Sequence, residues 1–78
     1  MHSVTIYTTP TCFYCRKAKE FFKENNVIYQ ELDVTVNEAA RDTMIARTGQ
    51  LAVPVIDVDG AIIIGFDQPA LKEALGIN

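Results

Sequence analysis

The chain has 78 residues, 49% of them hydrophobic, enough for one small core spanning residues 1–78 and too few for a second domain. Its formal net charge of −3 argues against nucleic acid and anionic membrane as partners, since both select basic surfaces. The opening Met1-His2-Ser3-Val4-Thr5 has no basic leader and no apolar run long enough for a signal peptide or a membrane span. The expected compartment is therefore the cytoplasm, where thiols stay reversible and structural disulfides are rare.

Ser3 to Thr8 alternates, with Val4 and Ile6 set against Ser3, Thr5 and Tyr7, and reads as a strand. Thr8-Thr9-Pro10-Thr11 follows as a loop rich in helix-capping residues. A helix is expected from Cys12 to about Asn25. Its Ala18, Phe21 and Phe22 share a face with Cys15, and Asn25-Asn26 stops it. Val27 to Val34 reads as a second strand. Asn37 can cap a second helix running to Thr48, which turns Ala40, Met44 and Ile45 inward and ends at Gly49.

Ala52 to Val58 and Ala61 to Gly65 are β-branched runs joined by Asp59-Gly60, the strongest short-range hairpin signal in the chain. Asp67 then caps a last helix, with Pro69 in its first turn and Ala70, Leu71, Ala74 and Leu75 inward. The order β-α-β-α-β-β-α defines an α/β fold. A parallel βαβ unit, an antiparallel hairpin and a closing helix place four strands in one mixed sheet with helices on its faces.

The chemistry concentrates in Cys12-Phe13-Tyr14-Cys15, which holds the only two cysteines and lies where the first strand hands over to the first helix. A thiol at a helix N-terminus meets unpaired backbone N–H groups and the positive end of the helix dipole, which stabilise its thiolate. Cys12 is the expected nucleophile. Cys15, one turn further in, is the resolving thiol, more buried and more protonated. Lys17 and Lys19, in a basic cluster with Arg16, and Thr11 in the capping loop are the candidate thiolate-stabilising residues. Phe13, where a proline would carry no donor, brings a backbone N–H toward the sulfur, which favours the thiolate and a more reducing couple. Phe13 and Tyr14 flank the sulfurs as substrate-contacting aromatics, although rim packing explains Tyr14 equally well.

The same Cys-x-x-Cys spacing supplies half of many zinc sites. With no second pair and only His2 elsewhere, one chain cannot assemble four ligands, so a metal reading requires two chains sharing a zinc or iron–sulfur centre. A purely structural disulfide is weaker still, because so small a loop restricts the unfolded chain little. The expected cofactor is none beyond the Cys12–Cys15 redox couple, and no resident metal is expected. Asp57 and Asp59 beside Gly60 are ordinary hairpin carboxylates, and His2 is expected to have no catalytic duty.

The element order, Thr11-Cys12-Phe13-Tyr14-Cys15, Thr48-Gly49-Gln50 ahead of Val53-Pro54, and Gly65-Phe66-Asp67 resemble the glutaredoxins and their glutaredoxin-like relatives over essentially the whole chain. The resemblance implies the thioredoxin fold in its shortest form, acting as a monomeric reductase of protein or small-molecule disulfides. It implies a cis Val53–Pro54 bond lying against the disulfide, leaving the Val53 backbone free to pair with an extended substrate. It also places Gly65, Phe66 and Asp67 at the substrate, with Asp67 meeting the amino and carboxylate end of glutathione as well as capping its helix. Two departures matter. Thr9 and Leu51 stand where glutathione-using members usually carry basic residues, and Ile64-Gly65 followed by Phe66 replaces the usual Gly-Gly and small residue. The Gly65-Phe66 pair resembles the hydrogen donors of ribonucleotide reductase, which take electrons from thioredoxin reductase, although the tryptophan usual before it is absent. The implied partners are a disulfide-containing protein such as ribonucleotide reductase, and either thioredoxin reductase or glutathione as reductant, the missing cations favouring the former.

Overall fold

The alternation of the first strand sorts the core into two halves. In the computed structural model, which describes residues 2–77, the chain forms β1 (Val4–Thr8), α1 (Phe13–Glu24), β2 (Gln30–Asp33), α2 (Glu38–Thr48), β3 (Val55–Val58), β4 (Ala61–Ile64) and α3 (Gln68–Leu75). Val4 and Ile6 face one side with Ile56, Val58 and Ile63, where Ala18, Phe21 and Phe22 of α1 and Leu71 and Leu75 of α3 cover them. Tyr7 and Val55 face the other side, against Val34 and against Ala40 and Met44 of α2. Helices thus cover both faces of one sheet.

The sheet order is β2-β1-β3-β4. β1 and β2 pair in parallel across α1, with Ile6 opposite Glu31, and β3 runs antiparallel to β1 with Ile56 opposite Ile6. β4 completes the hairpin antiparallel to β3. β1 and β3 are the central strands, which is why Ile6 and Ile56 are wholly buried.

The strand boundaries are shorter than the apolar runs suggest. Val27 does not open β2, because its N–H donates to Phe22 O (2.8 Å) while Asn26 N–H donates to Lys23 O (3.2 Å), with Asn26 at a φ of 56°. That pair of bonds is a Schellman cap on α1, and it takes Val27 out of the ladder. Val27 and Tyr29 still pack against the core beneath α1, whereas Ile28 is 77% exposed. Likewise β3 starts at Val55 rather than Ala52, after a cis Val53–Pro54 bond.

Ile45 is the one apolar residue of α2 that was expected inside and lies at the surface. Ala40 and Met44 form a narrow contact stripe, and the next turn of the helix is held by charge instead. Arg47 reaches across the sheet face to the Asp57 carboxylate and donates to Gly60 O (3.0 Å). The hairpin turn has positive φ at both Asp59 (54°) and Gly60 (95°), as a tight two-residue turn between twisted strands requires. Asp57 Oδ1 accepts the Gly60 N–H there at 2.7 Å. His2 has a structural contact after all: its ring nitrogen lies 2.6 Å from Asp59, whose carboxylate also accepts the Ser3 N–H.

Candidate active site

Thr9-Pro10-Thr11-Cys12 is a turn closed by Cys12 N–H donating to Thr9 O (3.3 Å), with Pro10 at the position where its fixed φ is favourable. The turn delivers Cys12 in extended conformation (φ −85°, ψ 114°) as the N-cap of α1. Its Sγ accepts the Cys15 backbone N–H at 3.1 Å, so sulfur occupies the position that a serine or aspartate oxygen fills in most helix caps. The donor at the sulfur is thus the Cys15 amide, two residues beyond that of Phe13. No acidic residue occurs in the first turn to oppose a negative charge there.

Cys12 and Cys15 are joined in a disulfide, their Cα atoms 5.2 Å apart. Their environments differ: Cys12 is partly exposed, whereas Cys15, on the buried face of α1, is 1% exposed. Among the described residues, no group of three or more His, Cys, Asp or Glu side chains is placed to hold a metal ion.

Phe13 and Tyr14 project outward, 54% and 59% exposed, with their rings edge to face at 5.2 Å. Lys17 Nζ sits 5.4 Å from the Phe13 ring centroid. Thr11 is exposed in the turn before Cys12. Lys19 is committed elsewhere, since its ammonium contacts Glu31 of β2 at 2.9 Å and the same carboxylate accepts the hydroxyl of buried Thr8. The Lys19 ammonium holds the Glu31 carboxyl below its ordinary range against a smaller opposing effect of burial, and Thr8 adds to the lowering.

Because that carboxyl is easier to ionise folded than unfolded, its stabilisation is present above the ordinary value of 4.5 and fades as pH falls through the lowered one. The side chain is 37% exposed, so solvent screening keeps the effect under about 1 kcal/mol. Chemical denaturation of Glu31→Gln and the parent should differ by that amount at neutral pH, and the difference should fade as pH falls below 4.5 and the Glu31 carboxyl takes up its proton.

Pro54 is buried and its carbonyl accepts the Gly65 N–H at 2.8 Å, while Val53 before it is half-buried. Thr9, Leu51 and Val53 line one groove of about 320 Å³ together with Val34, Thr35 and Arg41. The two positions where cations were missing open onto this groove, and Arg41 of α2 is the cation that lines it. No local pattern marks Arg41, which comes into place only because α2 packs across this face of the sheet.

Gly65, at a φ of 81° that favours glycine, turns the chain from β4 toward α3. Phe66 is half-buried and packs edge-on against Phe21 at 5.9 Å, in a shallow groove it shares with Lys17. Asp67 is the N-cap of α3 and accepts the Ala70 N–H at 3.2 Å.

A mixed sheet with helices on both faces, and a Cys-x-x-Cys pair at the N-terminus of the first helix, define a thioredoxin-like thiol–disulfide oxidoreductase. The glutaredoxin family model matches residues 4–63, and the chain belongs to the glutaredoxin family. It is 41% identical over 76 residues to glutaredoxin 3 of Escherichia coli K12, covering 97% of this chain and 92% of that one. It is 36% identical over 72 residues to a glutaredoxin-like protein of the Clostridium pasteurianum rubredoxin operon, covering 92% and 96% of the two chains. Among solved structures, a variant of the thioredoxin-like protein BC3987 superposes with a TM-score of 0.92 at 35% identity over the full length of both. Glutaredoxins need no prosthetic group. Among the described residues, no helix is long and apolar enough to cross a membrane.

Proposed function

We propose that this protein is a monomeric cytoplasmic reductase of protein disulfides that works by dithiol exchange and draws its electrons from thioredoxin reductase. The observation that carries the exchange is the Cys15 N–H at 3.1 Å from Cys12 Sγ: the donor that caps the sulfur in the disulfide is placed to stabilise the thiolate once the bond is reduced. Cys12 thiolate attacks one sulfur of a substrate disulfide, forms a mixed disulfide and expels the other substrate sulfur as thiolate. Cys15 loses its proton and attacks Cys12 Sγ, which closes the internal disulfide and releases the second substrate thiol. Two electrons and two protons from the reductant restore both thiols. The helix N-terminus supplies most of the thiolate stabilisation, with Lys17 and Thr11 beside it and Lys19 contributing least because Glu31 neutralises it.

Phe13, Tyr14, Val53, Pro54, Gly65, Phe66 and Asp67 form the proposed substrate rim. Ribonucleotide reductase fits as a substrate by the Gly65-Phe66 resemblance, and the C. pasteurianum relative's operon points to a further redox setting. The reductant assignment rests on Thr9 and Leu51, neither of which carries a positive charge to pair with a carboxylate of glutathione.

One observation favours glutathione as a second reading: Arg41 lines the groove beside Val53. NADPH consumption with a small disulfide, measured once with thioredoxin reductase and once with glutathione plus glutathione reductase, decides between them. Turnover only with thioredoxin reductase supports the first reading. Turnover only with glutathione, at a KM raised about tenfold by Arg41→Ala, would establish the second.

A further inference from the structure

The charge of this chain is unevenly placed. Four of its seven Lys and Arg residues fall between positions 16 and 23, although the chain as a whole is acidic. Helical spacing gathers them: Phe13, Arg16, Lys17, Lys19, Glu20 and Lys23 line one open groove of about 510 Å³ on α1, with Glu20 its only carboxylate. Lys19 is neutralised by Glu31, whereas Arg16, Lys17 and Lys23 form no salt bridge among the described residues. The groove begins at Phe13, inside the Cys-x-x-Cys pair, and extends ten residues along the helix, about 15 Å.

We infer that this groove is a docking track for an acidic, extended polypeptide segment whose half-cystine is presented to Cys12. The proposal deepens the reductase reading above and rests on it. An extended chain advances about 3.3 Å per residue, so a segment laid from Cys12 to Lys23 places carboxylates opposite Arg16, Lys17 and Lys23 within four or five residues of its cysteine. The exposed Phe13 ring gives the segment an apolar contact at the reactive end. A neutral or basic segment gains nothing from the track, and a field of this sign raises encounter rates for acidic partners specifically.

The test uses pre-reduced protein in a single turnover, so that the identity of the physiological reductant does not enter. Two synthetic disulfide peptides are compared, one with Asp and Glu in the five positions beside the half-cystine and one with Ser and Gln. At low ionic strength the acidic peptide should oxidise the protein about tenfold faster, and the advantage should vanish in 0.5 M salt, where screening acts within roughly 4 Å. Arg16→Glu and Lys23→Glu should each reduce the ratio of the two rates severalfold. Lys72→Glu, the same charge change on α3, should not. Equal rates for the two peptides, or a ratio lowered as much by Lys72→Glu, would overturn the track. Failure of both peptides to oxidise the protein would sink the reductase reading itself.

Discussion

Cys12→Ser should lose disulfide reductase activity by roughly three orders of magnitude or more, the scale seen when an enzyme loses its nucleophile. A serine hydroxyl in the same cap would still accept the Cys15 N–H, so the helix start and the fold should survive while the thiolate is gone. The companion variant separates the two steps. In Cys15→Ser the first attack proceeds and the second cannot, because only Cys15 is placed to displace substrate from Cys12. The protein should accumulate as a mixed disulfide, visible as a mass increase equal to the bound half of the substrate and reversed by dithiothreitol. Full turnover of Cys15→Ser on protein disulfides in the presence of glutathione would replace the dithiol route with a monothiol one.

Phe22→Ala should destabilise the protein by about 3–5 kcal/mol. Phe22 is fully buried in the face covered by α1 and α3, with its ring 6.1 Å from Phe21 and 5.2 Å from Tyr29. The cavity left by its removal faces the central strands, whose hydrogen bonding keeps them from collapsing into it. A domain of this size has a total stability of roughly 4–12 kcal/mol, so much of it goes, and the melting temperature should fall by about 15 °C or more. Ile28→Ala, at a residue 77% exposed, should stay within about 0.5 kcal/mol. A Phe22→Ala loss below 1 kcal/mol in chemical denaturation would mean that α1 is not anchored through this ring.

Element type was legible throughout the chain because its signals are local. The alternation of Val4 and Ile6, the Asp59-Gly60 turn and the caps Asn37, Gly49 and Asp67 each depend on residues within a few positions, and each sits where the local pattern puts it. Boundaries were less legible where two local signals compete. Val27, Ile28 and Tyr29 have strand character, yet the Asn26 cap claims the Val27 amide first. Ile45 has the hydrophobicity of a core residue, but α2 spends its last turn on the Arg47–Asp57 pair, whose partner is ten residues away across the sheet.

At the site, the sequence by itself determined the two sulfurs, their order along a helix start and the loop that caps it. Those follow from the chain's own stereochemistry over four residues, without reference to the rest of the molecule. The cis Val53–Pro54 bond agrees with what the family resemblance implies. Only the tertiary structure decided which side chains surround the sulfurs and which of their charges remain available. It bound Lys19 to Glu31 on a neighbouring strand, brought Arg41 from α2 into the groove beside Val53, and left Arg16, Lys17 and Lys23 along one open face. A side chain's partner is set by the packing of elements distant in sequence, so its charge is legible from its own position and its availability is not.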